Sequence, residues 1–334
     1  MFGLQQKIRW GVLGTSNIAR AAVLPAIQHS SNGELVGVAS RDEQRAHDFA
    51  AKLAIPMSYG SYDTLLAAND VDAVYIPLPN SLHREWAVKA AEAKKHVLCE
   101  KPLALNSAEC AEMDSAARHN DVKLMEAFMY RFHPQTQKVL DLVRTSAIGD
   151  LRFIHSAFTF RVTNPANIRL QPELGGGSLM DVGCYCVNIS RTIAGREPVE
   201  VQAYANWGST GVDDQMICNL RFGNGLLAQF DCALSLNRRE FYQLVGTEGT
   251  IDVPVAFLPG DDKTTIGLRQ GRNDRPIEIS GVDEYRLMVE HFASCVLNDE
   301  PVRYSPAEAA ANMRTMEALY RSARNQGKPE NLAP

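Results

Sequence analysis

The sequence has no long hydrophobic run and no surplus of positive charge. Its 334 residues include 34 Lys and Arg against 39 Asp and Glu, so the net charge is −5. A nucleic-acid-binding surface needs a basic surplus or a basic patch, and a membrane-spanning helix needs ~18 consecutive apolar residues. Met1 to Lys7 also lack the basic and apolar regions of a secretory signal. We therefore expect no nucleic-acid partner, no membrane partner and a cytoplasmic location.

Signals for metal ions and disulfides are equally scarce. The seven cysteines, an odd number, contain one close pair, Cys184 and Cys186, whose spacing suits neither a zinc site nor a C-x-x-C redox motif. The eight histidines show no H-E-x-x-H pattern. We expect reduced, mostly buried cysteines and no metal ion.

The length of the chain and the rhythm of its first third predict a two-domain α/β protein. A single core rarely exceeds about 250 residues, so 334 residues suit two domains. Short apolar runs alternate with helical patterns, which is typical of a doubly wound parallel sheet with crossover helices. The predicted strands are 8–13, 35–39, 73–76 and 97–99, and the predicted helices are 18–29, with a kink at Pro25, 42–53 and 83–93.

After about Asn120 the pattern changes to longer runs in which apolar and polar residues alternate, joined by glycine-rich turns. Such runs predict an antiparallel sheet with one open face. The predicted strands are 151–160, 201–206, 215–222, 226–233 and 241–245, and the predicted helices are 134–146, 284–297 and 306–324. We divide the chain into domains 1–124 and 125–334, with the last helices packing back on the body.

A glycine motif stands at the end of the first predicted strand. Gly14-Thr15-Ser16-Asn17-Ile18-Ala19 matches the dinucleotide-binding pattern G-x-G-x-x-A except at Ser16. The Ser16 hydroxyl could donate to a phosphate oxygen, while the start of the next helix supplies backbone amides. The alternative is a simple turn, since degenerate glycine motifs occur in many proteins.

The end of the second predicted strand indicates which dinucleotide binds. NAD sites usually place a carboxylate there for the ribose hydroxyls, whereas this chain has Ser40 and Arg41, which suit a 2′-phosphate. The pattern favours NADP(H) over NAD(H). In the alternative, Arg41 is solvated, and Asp42 or a more distant group binds the ribose.

Glu100-Lys101-Pro102 follows the strand 97–99, at the carboxyl edge of a parallel sheet, where open α/β sheets bind their ligands. We expect Lys101 to face that cleft. Pro102 lacks a backbone donor and restricts Lys101 to extended conformations, which helps to aim its side chain. The alternative is a surface Glu-Lys pair before a turn.

A second cluster of polar residues follows three glycines, at 175–177. Glycines at the entry to a helix cost backbone entropy, so they indicate a close approach to another group. Asp181 and Tyr185 lie four residues apart, on one face of a helix that stops at Gly195. Together they could hold a polyol and move its proton. The alternative is a buried aspartate that caps local amides beside a core tyrosine.

Five motifs in order make the whole chain resemble the Gfo/Idh/MocA family of oxidoreductases. They are the glycine motif, Pro79-Asn80-Ser81-Leu82-His83, Glu100-Lys101-Pro102, Met129-Tyr130-Arg131-Phe132-His133-Pro134 and the segment 175–183. The resemblance implies a Rossmann domain and a C-terminal α/β domain with an open, mostly antiparallel sheet. Because the open face of that sheet often serves for dimerisation in the family, we expect a homodimer or homotetramer. Many members have histidine where this chain has Tyr185. Within the family, the chain resembles glucose–fructose oxidoreductases, NADP-dependent xylose dehydrogenases and dimeric dihydrodiol dehydrogenases. Tyrosine at this position is typical of the glucose–fructose and dihydrodiol branch.

Family roles then imply a catalytic lysine at Lys101, a substrate-binding carboxylate at Asp181 and an acid/base at Tyr185. The expected reaction is hydride transfer between nicotinamide and a carbinol or carbonyl carbon of a sugar-like substrate. Tyrosine has an ordinary pKa of about 10, so it needs a neighbouring cation, and Lys101 can supply it. The expected active site lies at the domain junction, with Arg169 also on the substrate side. The residues expected to bind the cofactor are Gly14, Thr15, Ser16, Asn17, Ile18, Ser40, Arg41, Pro77, Leu78, Asn80, His83, Glu100, Lys101 and Arg131.

Three alternatives to this function stay open. A regulatory protein could sense a dinucleotide or a sugar without turnover, although it would not need Lys101, Asp181 and Tyr185 together. A second enzyme type would keep the nicotinamide bound and recycle it between two sugars, but the short segment before the first strand offers no arm to clasp it. A third would act on trans-dihydrodiols.

Overall fold

The computed structural model describes residues 6–332. Met1 to Gln5, which belong to the segment used above to argue against a secretory signal, lie outside the described residues. None of the described helices is both long and apolar enough to cross a membrane. The α-helices are α1 Leu24–His29, α2 Glu43–Lys52, α3 Tyr62–Leu66, α4 His83–Glu92, α5 Ser107–His119, α6 Pro134–Arg144, α7 Cys184–Ala194, α8 Glu284–Leu297 and α9 Pro306–Arg324.

The strands form two separate sheets. The first contains β1 Ile8–Leu13, β2 Gly33–Ala39, β3 Met57–Tyr59, β4 Ala73–Ile76, β5 His96–Cys99 and β6 Leu124–Glu126. The second contains β7 Leu151–Arg161, β8 Pro198–Trp207, β9 Asp213–Phe222, β10 Leu227–Ala233, β11 Ser235–Gly246, β12 Gly249–Val253, β13 Thr264–Gln270, β14 Asn273–Ile279 and β15 Glu330–Asn331. Short π-helical and 3-10 segments are Ala19–Val23, Asn80–Leu82, Met129–Phe132, Ile168–Leu170, Pro172–Leu174 and Leu179–Gly183.

The first compact unit runs up to Met129 and again from Tyr285 to Ala310. Its six-stranded sheet has the order β3-β2-β1-β4-β5-β6, and each neighbouring pair is parallel. The strand order reverses between β1 and β4, the point at which such sheets open a crevice for ligands at their carboxyl ends. β4 is buried along its whole length, as expected for a strand covered on both faces. The predicted doubly wound sheet is confirmed.

The second unit runs from Tyr130 to Glu284 and again from Ala311. Its nine-stranded sheet has the order β14-β13-β12-β11-β7-β10-β9-β8-β15. Among the described strand pairs of this second sheet, only β7 and β10 are parallel, so the predicted, mostly antiparallel sheet is confirmed. α7 packs on β7 and β10. Tyr204, Ile217 and Leu227 are exposed on the sheet.

The unit boundaries differ from the predicted domains 1–124 and 125–334. β6 pairs with β5, so the first sheet continues beyond residue 124. Part of the C-terminal third also returns to the first unit: the rings of Trp10 and Phe292 lie 5.5 Å apart, and Asn32 Nδ2 donates to the Glu290 carbonyl oxygen at 2.9 Å. Both contacts join residues that are far apart in sequence, which a local pattern cannot predict.

Candidate active site

The glycine motif lies at the carboxyl end of β1, as its sequence predicts. Gly14 has φ +115, and a Cβ there would lie 3.0 Å from Leu78 Cδ2, so a side chain is disfavoured at this turn. The Ser16 hydroxyl accepts from the Ala19 backbone N–H at 3.2 Å. Ser16 therefore caps the start of the next helix and keeps its own hydrogen available to a further acceptor. The turn at Gly14, the Ser16 hydroxyl and the start of the next helix together fit the pyrophosphate of a dinucleotide.

The helix after this motif begins as a π-helical segment, Ala19–Val23, and continues as α1. The change from π-helical to α-helical hydrogen-bond spacing comes directly before Pro25. Proline has no N–H to donate to the carbonyl oxygen of Ala21, as a regular α-helix would require. π-helical turns occur often at functional sites. The irregularity that we predicted at Pro25 is therefore a change of helix type at this point.

At the end of β2, Ser40 and Asp42 shape the first turn of α2. Ser40 is buried, and its hydroxyl accepts from the Asp42 backbone N–H at 3.2 Å. The Asp42 carboxylate accepts from the Arg45 backbone N–H at 3.0 Å as the N-cap of α2. Asp42, the alternative ribose ligand, is thus used as a helix cap.

Arg45 is a candidate residue of this site that the sequence patterns did not predict. Its Nε donates to the Thr15 hydroxyl at 2.7 Å and so links α2 to the glycine motif. Arg41 adds a second cation, and both guanidinium groups oppose the rise that burial causes in the pKa of Tyr62. Two arginines, one just after β2 and one in the first turn of α2, suit a 2′-phosphate. The available signal was the position of Arg45 in the first turn of α2, four residues after Arg41.

Glu100 and Lys101 directly follow β5, at the carboxyl edge of the same sheet. The hydroxyl of buried Tyr75 donates to Glu100 Oε1 at 2.6 Å, and the Lys101 backbone N–H donates to Glu100 Oε2 at 3.3 Å. Burial and the Glu100 charge raise the pKa of Tyr75 well above its ordinary value, which keeps this phenol a donor. The Glu100 carboxylate thereby fixes the backbone from which the Lys101 side chain extends.

The segment after Lys101 is held by two buried polar side chains. The Lys101–Pro102 peptide bond is cis, and the Leu103 backbone N–H donates to Glu126 Oε1 at 2.8 Å. The ring nitrogens of His83 lie 3.0 Å from the Pro102 carbonyl oxygen and 2.9 Å from that of Leu78.

His83 is fully buried, and burial lowers its pKa, although the two carbonyl contacts oppose this. The ring therefore ties the Pro77-Leu78 loop to the lysine motif. We predicted that His83 contacts the cofactor. For a direct contact, the ring would have to give up its contacts with the Pro102 and Leu78 carbonyl oxygens. Asn80, predicted in the same cleft, lies in the short segment before α4.

In the second unit, Asp181 and Arg169 form an ion pair. Arg169 Nε lies 2.6 Å from Asp181 Oδ2, and the side chains are 38% and 14% exposed. The Arg169 guanidinium also lies over the Phe160 ring, 5.6 Å from its centroid. The structure thus brings together two of the predicted substrate residues, with the carboxylate oriented by a planar cation.

Tyr185 follows Asp181 on one continuous helical stretch, 179–194, which begins as the π-helical segment and ends at Gly195 with φ +62. Tyr185 is 6% exposed. Three aromatic rings surround it, those of Tyr130, Phe158 and Phe257, with centroids 5.8, 5.4 and 5.3 Å away. This aromatic packing fixes the ring and excludes water around it.

Two of the three glycines, Gly176 and Gly177, closely approach other groups of the chain. The backbone N–H of Gly177 donates to the Arg169 carbonyl oxygen at 2.9 Å, and a Cβ on Gly176 would overlap that carbonyl. Gly177 has φ +123, and its Cβ would overlap the Asp213 carboxylate. The close approach that we predicted is therefore made to groups of the chain itself. Asp213 is a buried aspartate that caps a backbone amide at this helix start.

One of the predicted cofactor residues, Arg131, lies apart from the others. Arg131 lies in the second unit, in Met129–Phe132, and is buried, whereas the other predicted cofactor residues lie in the first unit. All seven cysteines are buried thiols. Within the described part of the chain, no group of His, Cys, Asp and Glu residues is arranged to hold a metal ion.

Comparison with known families gives two matches along the chain. A family model described as "Oxidoreductase family, NAD-binding Rossmann fold" matches residues 8–128. The model of the "GFO/IDH/MocA C-terminal domain" matches residues 136–252. The first match contains the glycine and lysine motifs, and the second contains Arg169, Asp181 and Tyr185.

Individual relatives match over nearly their whole length. The chain is 39% identical to a D-xylose 1-dehydrogenase (NADP(+)) of Haloferax volcanii, over 94% of this chain and 97% of the relative. It is 32% identical to a trans-1,2-dihydrobenzene-1,2-diol dehydrogenase of Xenopus laevis, over 95% of this chain and 97% of the relative. Among solved structures, the aldose-aldose oxidoreductase of Caulobacter crescentus is similar, with a TM-score of 0.91 and 29% identity. The match covers 98% of this chain and 100% of that structure.

Proposed function

The chain belongs to the Gfo/Idh/MocA family of oxidoreductases, and on this premise we propose that it is an NADP-dependent dehydrogenase acting on a carbinol carbon of a sugar or related cyclic polyol. The observation that carries the proposal is the Arg169–Asp181 ion pair at 2.6 Å, beside Tyr185 on the same helical stretch. A paired carboxylate and guanidinium recognise hydroxyl groups, and a phenol one turn further along can exchange a proton with one of them.

The first unit supplies groups that fit NADP. Gly14, Ser16 and the helix start suit the pyrophosphate, and Arg41 and Arg45 suit a 2′-phosphate. The relative from Haloferax volcanii is named for NADP(+), which supports the same preference, with NAD(H) as the alternative. When bound, the nicotinamide supplies hydride acceptance in one direction and hydride donation in the other.

The protein's own part in the reaction is binding, orientation and proton transfer. Asp181, oriented by Arg169, accepts hydrogen bonds from substrate hydroxyls. Tyr185 takes the proton of the reacting hydroxyl during oxidation and returns it during reduction. An ordinary tyrosine, with a pKa of about 10, needs a nearby cation for this role near neutral pH, and we assign that role to Lys101, whose backbone Glu100 fixes.

An aldose is the first candidate substrate. The relative with 39% identity is named a D-xylose 1-dehydrogenase, and the chain carries the polar Arg169–Asp181 pair that a polyol requires. A trans-dihydrodiol is the second candidate, favoured by the relative with 32% identity and by the aromatic rings around Tyr185. A non-catalytic sensor has no need of Lys101, Asp181 and Tyr185 together.

We also propose that the open sheet face joins two copies of the chain. Tyr204, Ile217 and Leu227 are between 47% and 57% exposed there, and exposed apolar patches mark interaction surfaces. Ile217→Arg should then convert a dimer or tetramer to a smaller species in light scattering. An unchanged mass would contradict this assignment.

An activity panel tests the proposed function. D-xylose, D-glucose and a trans-dihydrodiol are each assayed with NADP⁺ and NAD⁺ by absorbance, for the wild type and for Tyr185→Phe. We expect turnover with at least one aldose and NADP⁺, and a loss of about 10²-fold or more in the variant. Cofactor binding without turnover of any substrate would favour the sensor, and equal rates in both proteins would refute the role of Tyr185.

A further inference from the structure

A buried carboxylate stands beside the start of the helical stretch that carries Asp181 and Tyr185. Asp213, the first residue of β9, is 1% exposed. Its Oδ2 accepts from the Ser178 hydroxyl and from the Leu179 backbone N–H, both at 2.7 Å. Its Oδ1 accepts from the Tyr320 hydroxyl at 2.8 Å. The carboxylate therefore joins β9, the helix start and α9.

These three donors explain how the chain tolerates a buried carboxylate. An ionised group is costly to bury unless hydrogen bonds replace its water, and burial raises the pKa of Asp213 while the three bonds oppose that rise. Ser178 and Leu179 lie at the first turn, where backbone N–H groups have no partner within the helix and the helix dipole favours a negative charge. Asp213 is thus matched to this helix start.

The path from Asp213 to the reacting residues is short and continuous. The carbonyl oxygen of Gly177 accepts from the Asp181 backbone N–H at 3.0 Å, and the missing Cβ of Gly177 leaves room for the Asp213 carboxylate. Tyr185 follows one turn later on the same stretch. A shift at residues 178–179 therefore displaces Asp181 and Tyr185 together.

We propose that Asp213 is a positioning residue, which fixes the start of this helical stretch and thereby the placement of Tyr185 relative to the substrate hydroxyl. This assignment rests on the proposed function, because it is expressed through the proton transfer of Tyr185. Asp213 itself touches no reacting atom. A misplacement of a reacting group by about 1 Å lowers the rate by up to about 10²-fold. This value sets the fall in rate that we expect for the Asp213 variants.

The test is pre-steady-state hydride transfer, followed by stopped-flow absorbance as the first-turnover burst with saturating NADP⁺ and D-xylose, or the aldose of highest turnover in the panel. The variants are Asp213→Ala, Asp213→Asn and Tyr185→Phe. The matched control is Ser322→Ala, since buried Ser322 also makes two hydrogen bonds in this unit, accepting from Ala203 N at 2.9 Å and donating to the Lys328 carbonyl oxygen at 2.7 Å. Thermal unfolding and the NADP⁺ dissociation constant are measured for each protein.

We expect the rate constant to fall about 10²-fold in Asp213→Ala and about 10-fold in Asp213→Asn, which keeps one acceptor. NADP⁺ binding should stay within about two-fold of the wild type, and Ser322→Ala should keep its rate constant. A purely structural role lowers the amplitude, which reports the folded fraction, and leaves the rate constant unchanged.

Unchanged rate constants in both Asp213 variants would overturn the inference, and so would an equal fall in Ser322→Ala. If Asp213→Ala does not fold, the rate constant of Asp213→Asn tests the inference in its place, and an unchanged value would overturn it. Equal rates in the wild type and Tyr185→Phe would instead refute the proposed acid–base role. A rate that depends on Tyr185 but not on Asp213 would refute this inference alone.

Discussion

The Nε of Arg45 donates to the hydroxyl of Thr15 at 2.7 Å, although thirty positions separate the two residues. This bond ties the first turn of α2 to the glycine motif at the end of β1. It places a guanidinium group, beside that of Arg41, where a dinucleotide with a 2′-phosphate would need positive charge. We therefore propose that the segment after β1 and the first turn of α2 together set the cofactor preference of this chain.

Arg45→Ala should weaken the binding of NADP⁺ and leave the binding of NAD⁺ nearly unchanged. A hydrogen bond to a charged group is worth about 1.5–3 kcal/mol, so we expect a loss of about 10- to 100-fold for NADP⁺. Fluorescence titration with both dinucleotides measures the difference. Arg118→Ala, at a side chain that is 75% exposed, is the control, and an equal loss for the two dinucleotides would refute the assignment.

Lys101→Met should abolish turnover and spare dinucleotide binding, because it removes the cation that we assign to the support of Tyr185. We expect kcat to fall by about 10³-fold, within the range for loss of acid–base assistance. Steady-state absorbance gives kcat, and fluorescence titration gives NADP⁺ binding. Lys89→Met, at an exposed residue of α4 paired with Glu85, should keep full activity, and undiminished turnover in Lys101→Met would end the assignment.

Gly177→Ala should reduce both stability and activity. The residue has φ +123, and a methyl group there would overlap the Asp213 carboxylate. Strain at such a backbone conformation costs about 1–3 kcal/mol before any overlap is counted. Urea unfolding and kcat are the measurements.

Gly225→Ala provides the comparison, since Gly225 has φ +84 and nothing within 4 Å of its Cβ position. This variant should lose stability through backbone strain and keep its kcat. Loss of activity in both variants to the same extent would show that the position of Gly177 has no special relation to the site.

Glu284→Gln should stabilise the protein at pH 8 and have little effect at pH 5. Burial raises the pKa of Glu284 to about 7, and the side chain is 2% exposed. Because the folded state binds this proton more tightly than the unfolded chain, stability falls as the pH rises from about 4.5 to about 7. The glutamine, which resembles the protonated acid, removes up to about 3 kcal/mol of that fall.

Urea unfolding at the two pH values measures this difference. Glu278→Gln is the control, since Glu278 is 64% exposed and paired with Lys263 on the surface. A stabilisation of equal size at both pH values would contradict the titration of Glu284 as its cause.

The long elements of the fold could be predicted because their patterns are local. The helices at 284–297 and 306–324 and the strand at 73–76 occur at the predicted positions. Shorter or more polar elements were not predicted. β3 has three residues, and β14 is mostly exposed and contains Pro276, as edge strands often do, so neither gives an alternating apolar signal.

The sequence by itself determined the two kinds of sheet, the place of the glycine and lysine motifs at strand ends, and the position of Asp181 and Tyr185 on one helical stretch. Those features follow from periodicity and spacing over a few residues. Only the tertiary structure decided that Tyr285 to Ala310 belong with the first unit, that Arg45 reaches Thr15 and that Asp213 holds the start of the helix at Leu179. Each of these joins residues distant in the chain, and such contacts depend on packing and on the satisfaction of buried polar groups, which local sequence does not encode.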